Sequence, residues 1–594
     1  MKNKSIEIFF ACDDAFIKYT VVSLTSIIEN ASRDFHYNVH VLCTEVGEKN
    51  ARALLDLQNE NFHVEFNNVT PYLENLAKKL PLRDYYSKTT YFRMFIADMF
   101  KDVDKAIYID SDTVVNGDIS ELYNTDIKDN LVGACHEQVM LQVDVYGTYA
   151  EKVVGVSRQE FFNAGLILIN CKAFRERKIL EKFMKVLAEY KFVVTQDEDY
   201  LNLLCRDWVY WLDQRWNTVI FGDIPHPIEE AKILHYIMTS KPWHYIDCRH
   251  GEYFWKYAKK TSVYGDIISE LNGYTDEKKE RDRISGEKLL ELAISEINKE
   301  DNYQNIQNKK KNPERVRVFK KISEFERIGL FDEDVENDPP TIPLSPEKVN
   351  FLNRGIIAKI KRHFAFLLAR VFFKKAQRQK KIILADTVGA ENIKKCKNAI
   401  ITCNHFNPLD SFVMQYVFDD SRHTGKMYRV IREGNYTSFP GFYGFLMRNC
   451  NTLPLSSKKE TLHLFLKACD KALSKGNCIL IYPEQSMWYN YRKPKPHKSG
   501  GFDIAVRNNV PVVPCFITLK DSDYIDENGY PVQIYTPHVG EPIYPDQSLS
   551  RRERSLDLMN KNYEYFKKVY EEYYQIPLVY DTEPSTQKQK IAAG

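Results

Sequence analysis

Asp110-Ser111-Asp112 follows the apolar run Ala106-Ile107-Tyr108-Ile109, and His405-Phe406-Asn407-Pro408-Leu409-Asp410 follows Ala399-Ile400-Ile401-Thr402-Cys403. Two carboxylates one residue apart at the end of a buried strand can chelate one hard cation and bridge it to a diphosphate, which is thereby neutralised as a leaving group. In the second segment Pro408 implies a turn into a helix that lets Asp410 reach His405 and hold its imidazole as a base. The chemistries are unrelated, so the chain reads as two enzymes joined in series. Each spacing alone is weak: Asp-x-Asp also occurs in solvated turns, and a histidine and an aspartate five apart arise by chance in most chains of this size.

Other residues in the first half strengthen that site. His235-Tyr236 closes an apolar run and precedes Lys241-Pro242-Trp243-His244, so an imidazole could complete a metal shell while Lys241 meets a diphosphate. Phe162-Asn163-Ala164-Gly165-Leu166 sets an amide and a glycine just before a strand, where backbone can approach a sugar closely. Asp197-Glu198-Asp199 is a dense acidic patch that a solvated face explains equally well.

These residues need elements to position them. From Glu7 to about Leu234 short apolar runs (7–12, 39–43, 106–109, 166–169) alternate with amphipathic stretches such as 16–30, in which Val21, Leu24 and Ile28 recur with helical spacing. Alternation of this kind implies an open α/β sheet with its ligand beyond the carboxyl ends of strands, where Asp110 and Asp112 lie. The same alternation resumes after Ile382, with apolar runs at 399–403, 478–482 and 510–517 and a helical period over 462–474. Between them, residues 263–346 turn charged and Pro-containing and read as a connector. The expected organisation is a first α/β domain over 1–262, this charged helical connector, a second α/β domain over 347–580 and a polar tail over 581–594.

The 594 residues exceed one hydrophobic core. The 83 basic and 81 acidic residues nearly cancel, which gives no argument for nucleic acid as a partner. Twelve cysteines without a CxxC pair disfavour a disulfide framework or structural zinc and fit a reducing compartment. The N-terminal apolar stretch is too brief and too acidic at Asp13-Asp14 for a signal peptide, and no run reaches 18 apolar residues, so no membrane span is expected. Arg354 to Lys381 carries ten Lys/Arg and no acid, with Ile356, Ile360, Phe364, Leu367 and Val371 at helical spacing. Such a helix can lie in the headgroup region of an anionic bilayer or pack on the domain with a solvated basic face.

Residues 6 to about 244 resemble glycosyltransferase family 8, retaining enzymes that use UDP-sugars. Phe10-Ala11-Cys12-Asp13-Asp14 is similar to its uridine-contacting opening, and Arg93 in Tyr91-Phe92-Arg93 to its donor-contacting arginine. The resemblance implies a Rossmann-like, GT-A type fold, Asp110, Asp112 and His235 as ligands of Mn2+ (or Mg2+), Asn163 and Ala164 as sugar contacts and Lys241 as a phosphate contact. It places Asp197, Glu198 and Asp199 beside the anomeric carbon. Two positions depart: Ala15 replaces an asparagine and Glu198 a glutamine. A carboxylate there allows a true nucleophile as well as front-face attack.

Residues 404 to about 517 resemble the 1-acylglycerol-3-phosphate acyltransferase family, through His405 to Asp410, Gly444-Phe445-Leu446-Met447-Arg448, Tyr482-Pro483-Glu484-Gln485, Lys498-Ser499-Gly500-Gly501 and Val510-Pro511-Val512-Val513-Pro514. That resemblance implies acyl transfer from an acyl carrier protein or coenzyme A thioester to a glycerolipid hydroxyl. It assigns His405 as base, Asp410 as its partner, Glu484 to the acceptor site and Arg448 and Lys498 to anion contacts. Gln485 stands for glycine, Met487 for arginine and Met447 for an acid. Arg492, Lys493 and Lys495 are near enough in sequence to supply the missing phosphate contacts.

The expectation is therefore a bifunctional transferase at the cytoplasmic face of a membrane, with a UDP-sugar, an acyl thioester, a lipid acceptor and an anionic surface as partners. The alternatives are an enzyme that glycosylates and acylates a surface polysaccharide or glycolipid, and a scaffold with one inactive domain.

Overall fold

The computed structural model describes residues 5–79, 89–336 and 341–582. The chain divides into two compact units, Met1–Gln307 and Asn308–Gly594.

The first unit is built on a seven-stranded sheet. Its strands are β1 (Ser5–Ala11), β2 (His36–Cys43), β3 (Phe62–Asn68), β4 (Lys105–Ile109), β6 (Val132–His136), β7 (Phe162–Asn170) and β8 (Val209–Trp211), in the order β3-β2-β1-β4-β7-β6-β8. A small second sheet joins β5 (Thr113–Val115), β10 (Ile233–His235) and β9 (Thr218–Val219). β1 to β4 pair in parallel, while β7 runs antiparallel between β4 and β6. The apolar run of β7 is buried on both faces, as a central strand requires. Antiparallel pairing sets the start of β7 beside the end of β4, with Ile109 opposite Leu166. Asp110 therefore meets Gly165, whose carbonyl accepts the Asp110 N–H at 2.8 Å. The helix Ile17–Asn30 covers the sheet, and Trp243 is buried in the same core against Tyr19, with ring centroids 3.8 Å apart.

The second unit has its own seven-stranded sheet. β11 (Ile383–Leu384), β12 (Ile400–Cys403), β13 (Met427–Arg432), β14 (Thr452–Leu455), β15 (Cys478–Ile481), β16 (Val512–Ile525) and β17 (Pro531–Val539) lie in the order β11-β17-β16-β12-β15-β13-β14. All neighbours pair in parallel except the β16/β17 hairpin. β12 is central and wholly buried, and His405 follows its carboxyl end.

The helices of residues 263–346, read from sequence as a connector, divide between the units. Tyr264–Asn272 and Asp276–Asn298 fall within the first, and Pro313–Arg327 packs Val318 and Ile322 with Val335 and Trp488 in the second. The basic segment forms one helix, Ile356–Arg378. Its inner face buries Ala365, Phe373 and Ala376, whereas Ile360, Phe364, Leu367 and Val371 are each more than half exposed. Among the described residues no helix is long and apolar enough to cross a membrane, and the twelve cysteines are free thiols. The polar tail lies outside the described residues from position 583.

Candidate active sites

In the first unit Asp110 and Asp112 bracket the turn between β4 and β5, and His235 ends β10, which pairs with β5 so that His235 lies opposite Thr113. The ligand atoms of Asp110, Asp112 and His235 lie within 4.8 Å of one another. His235 Nε2 is 3.2 Å from Asp112 Oδ1 and 4.0 Å from Asp110 Oδ2. Gly165 keeps this space open: a Cβ there would lie 2.2 Å from His235 Cε1 and 2.7 Å from Asp110 Oδ2. Two carboxylates and an imidazole around a cradle only glycine leaves clear form a donor set that fits Mn2+ or Mg2+.

Cations already surround these carboxylates. Lys241 Nζ lies 2.5 Å from Asp112 Oδ2, and Arg93 Nη2 lies 3.0 Å from Asp110 Oδ1. Burial pushes the Asp112 carboxyl up, but Lys241 and His235 outweigh it and hold the group well below the usual carboxylate range. Arg93 is a buried hub: it also pairs with Asp197 at 3.0 Å and donates to the Ala164 carbonyl. Tyr108 donates to Asp110 Oδ1 at 2.7 Å, a contact between alternate residues at a strand end that the sequence reading did not single out.

The acidic patch is not a solvated face. Asp197 and Asp199 are buried, and the Glu198 carboxylate accepts the Ala164 N–H at 2.9 Å. Burial raises all three, Asp197 to about 6 and Asp199 to about 7, while Glu198 is pushed well above its ordinary value by burial and then by the neighbouring Glu137 carboxylate. Glu137 accepts from the Asn163 amide, and sequence reasoning missed it because it lies at the end of β6, far from any cluster along the chain. Ala11 closes β1, while the Asp13 side chain accepts the Phe16 N–H at 3.1 Å and so caps the turn that leads into Ile17–Asn30.

In the second unit His405 Nδ1 donates to Asp410 Oδ2 at 2.6 Å, and Asp410 occupies the first turn of the helix Asp410–Asp420, where a carboxylate is favoured by the helix dipole. The Tyr482 hydroxyl donates to Asp410 Oδ1 at 2.7 Å, and its ring stacks on His405 with centroids 4.3 Å apart. Burial and then Asp410 push the Tyr482 phenol well above its ordinary value, so it remains a donor. His405 faces a cavity of about 1490 Å³ lined by Phe366, Phe412, Leu446 and Leu462 among other apolar side chains. Arg370, Lys374, Arg432 and Lys498 supply cations to its wall.

Glu484 does not face that cavity. Its two oxygens accept the backbone N–H groups of His405 at 3.1 Å and Lys495 at 2.9 Å, so its carboxylate ties two loops together beneath the dyad. Arg448 is likewise absent from the cavity wall, and its guanidinium donates to the carbonyls of Tyr436 and Phe439. Lys498 does line the cavity, with its ammonium 2.8 Å from Asp332. Lys495 donates to Ser486, Lys493 pairs with Glu326 and Arg492 with Asp521, so each has a protein partner. Gln485 adopts φ 64°, in the left-handed region that favours glycine.

Residues 7–247 match the sequence profile of Glycosyl transferase family 8, and residues 385–518 that of the Acyltransferase family. The chain is similar to General stress protein A of Bacillus subtilis, 26% identical over 301 residues, covering 45% of this chain and 99% of that one. It is also similar to Lipopolysaccharide 1,2-glucosyltransferase of Escherichia coli, 22% identical over 283 residues, 44% of this chain and 80% of the other. Among solved structures, galactosyltransferase LgtC in complex with donor and acceptor sugar analogues is 27% identical, covering 43% of this chain and 96% of that one with a TM-score of 0.34. The chain thus carries a glycosyl transferase family 8 region over residues 7–247 and an acyltransferase family region over 385–518, and is both a glycosyltransferase and an O-acyltransferase.

Proposed function

We propose that the protein combines two independent reactions on one chain: metal-dependent, retaining transfer of a hexose from a UDP-sugar, and O-acyl transfer from a thioester to a glycerolipid hydroxyl, at the surface of an anionic membrane. The observation that carries this reading is the presence of two complete constellations on one chain: the Asp110/Asp112/His235 cluster and the His405–Asp410–Tyr482 network at an apolar cavity.

In the glycosyl site Asp110, Asp112 and His235 would hold Mn2+ or Mg2+, which when bound supplies charge to the leaving diphosphate. Lys241, 2.5 Å from Asp112, stands ready to shift to a phosphate oxygen. Arg93 bridges Asp110 to Asp197 and so keeps the metal side and the acidic side in register. Asn163 and Ala164 line the sugar side, and Glu198 is held by the Ala164 N–H. Burial and then the neighbouring Glu137 carboxylate push the Glu198 carboxyl up, which disfavours its anionic, nucleophilic form and favours front-face attack over double displacement.

In the acyl site Asp410 fixes the imidazole with Nδ1–H inward, leaving Nε2 to take the proton of the acceptor hydroxyl as its oxygen attacks the thioester carbonyl. The tetrahedral intermediate then expels the sulfur, which receives that proton from the imidazolium and leaves as a thiol. The apolar cavity suits an acyl chain, and the exposed apolar stripe of the basic helix suits insertion among anionic headgroups. An acyl carrier protein or coenzyme A thioester, and lysophosphatidate or another lysolipid, are the substrates of this reading.

A second reading, in which both domains modify a surface polysaccharide or the sugar of a glycolipid, is favoured by the relative named as a lipopolysaccharide glucosyltransferase. Incubation of purified protein with UDP-sugars, acyl thioesters and lysolipids, followed by mass spectrometry, tests both. Products that carry sugar and acyl label into organic solvent support the first reading; label retained on a water-soluble glycan supports the second.

A further inference from the structure

Behind His235 lies a fully enclosed run of side-chain amides. Asn217 is 0% exposed and immediately precedes β9, the parallel neighbour of β10, so its side chain reaches the far edge of the imidazole. Asn217 Oδ1 is 3.1 Å from His235 Nδ1, and Asn217 Nδ2 donates to Asn163 Oδ1 at 2.8 Å. Asn163 Oδ1 also accepts the backbone N–H of Gly165 at 2.9 Å, and Asn163 Nδ2 donates to the Glu137 carboxylate. Glu137 in turn accepts the backbone N–H of Val139 at 2.9 Å through its other oxygen.

The direction of every bond in this run is forced. A backbone N–H can only donate, so the Gly165 contact makes the Asn163 oxygen an acceptor and turns its NH₂ towards Glu137. Asn217 then has to present its NH₂ to Asn163, which leaves its oxygen facing His235. An amide oxygen cannot donate, so His235 must carry its proton on Nδ1. The Nε2 lone pair is thereby directed at the space between Asp110 and Asp112.

We infer that Asn217 is a positioning residue that selects the Nδ1–H tautomer of His235 and so presents Nε2 as a metal ligand, with its own orientation set by Asn163, Gly165 and Glu137. This rests on the reading of Asp110, Asp112 and His235 as a metal site. The same run joins the metal side of the pocket to Glu137, whose carboxylate neighbours Glu198 on the sugar side.

The test is the affinity of the full-length protein for Mn2+ in the presence of UDP, read by the electron paramagnetic resonance of free Mn2+, with no turnover required. Asn217→Leu should weaken Mn2+ binding by about 10- to 100-fold, the usual effect of removing the partner of a ligating histidine. Asn217→Asp should bind within about 3-fold of the wild type, because a carboxylate still accepts the Nδ1 proton. A merely structural role would be hurt at least as much by a charge buried at this position. Asn217→Ala, which adds no bulk, replaces the leucine variant if that one does not fold, and the same loss is expected. Wild-type affinity in the leucine or alanine variant, or an aspartate variant as weak as they are, overturns the inference while leaving the metal reading intact. A wild-type protein that binds no Mn2+ with UDP, and whose sugar transfer survives chelation, overturns the metal reading and the inference with it.

Discussion

Tyr482 holds the oxygen of Asp410 that His405 leaves free: its hydroxyl donates to Asp410 Oδ1 at 2.7 Å while the imidazole donates to Oδ2 at 2.6 Å. The carboxylate is gripped from both sides, and the tyrosine ring also forms the wall against which His405 stacks. Tyr482→Phe keeps that wall and removes one hydrogen bond to a charged acceptor, worth about 1.5–3 kcal/mol. The kcat of acyl transfer should fall roughly 10- to 100-fold with KM for the thioester little changed. An unaltered kcat would show that Asp410 needs no second anchor.

The exposed stripe of the Ile356–Arg378 helix should act as a bilayer contact. Replacing Phe364, Leu367 and Val371 with serine keeps the cations and spares the inner face formed by Ala365, Phe373 and Ala376, so the fold should persist. Binding to liposomes containing anionic lipid should fall at least about 10-fold, and wild-type binding should weaken as salt screens the surface. Acyl transfer to a bilayer substrate should drop more than transfer to a soluble short-chain analogue. Equal losses on both substrates would assign these residues to the catalytic unit itself.

The pH dependence of stability should carry the mark of the buried acidic patch. Burial pushes the Asp199 carboxyl up to about 7, against the donors Thr195 and Tyr149 that pull it down. From about pH 4 to about pH 7 the unfolded chain has released this proton while the folded chain still holds it, so the group's contribution to stability falls as pH rises through that window. Asp199→Asn keeps the shape and removes the titration. The Tm of the variant relative to wild type should therefore climb between pH 5 and pH 8, as followed by circular dichroism. A constant difference across that range would contradict the assignment.

Much of each site was legible where its parts are local along the chain. Asp110 and Asp112 end a strand whose apolar run is unmistakable, and His405 and Asp410 are five residues apart across a single strand-to-helix turn. The Ile356–Arg378 helix followed from helical period and charge, whereas only the fold shows that its stripe of Ile360, Phe364, Leu367 and Val371 is exposed and not packed on the domain. Partners that depend on strand order stayed hidden. Tyr482 reaches Asp410 because β15 lies next to β12, and Glu137 reaches Asn163 because β6 pairs with β7. Asn217 reaches His235 through the pairing of β9 with β10. Glu484 and Arg448 show the opposite case: residue type and block order suggested contact with substrate, whereas both Glu484 oxygens accept backbone N–H groups and Arg448 Nη1 donates to two backbone carbonyls, contacts that only the folded loops reveal. The packing of the connector's helices was not legible because their apolar residues, Val318 and Ile322 among them, are sparse in a charged helix.

Independence of the two chemistries is the central claim, and one reciprocal measurement tests it most directly: sugar transfer and acyl transfer assayed side by side for wild type, Asp112→Asn and His405→Ala, with and without a metal chelator. Asp112→Asn and chelation should each abolish sugar transfer and leave acyl transfer intact, because a histidine base needs no metal. His405→Ala should lower acyl transfer about 100-fold or more and leave sugar transfer intact. Full sugar transfer in chelator, or wild-type acyl transfer without His405, would contradict the account at the residue on which each half of it depends.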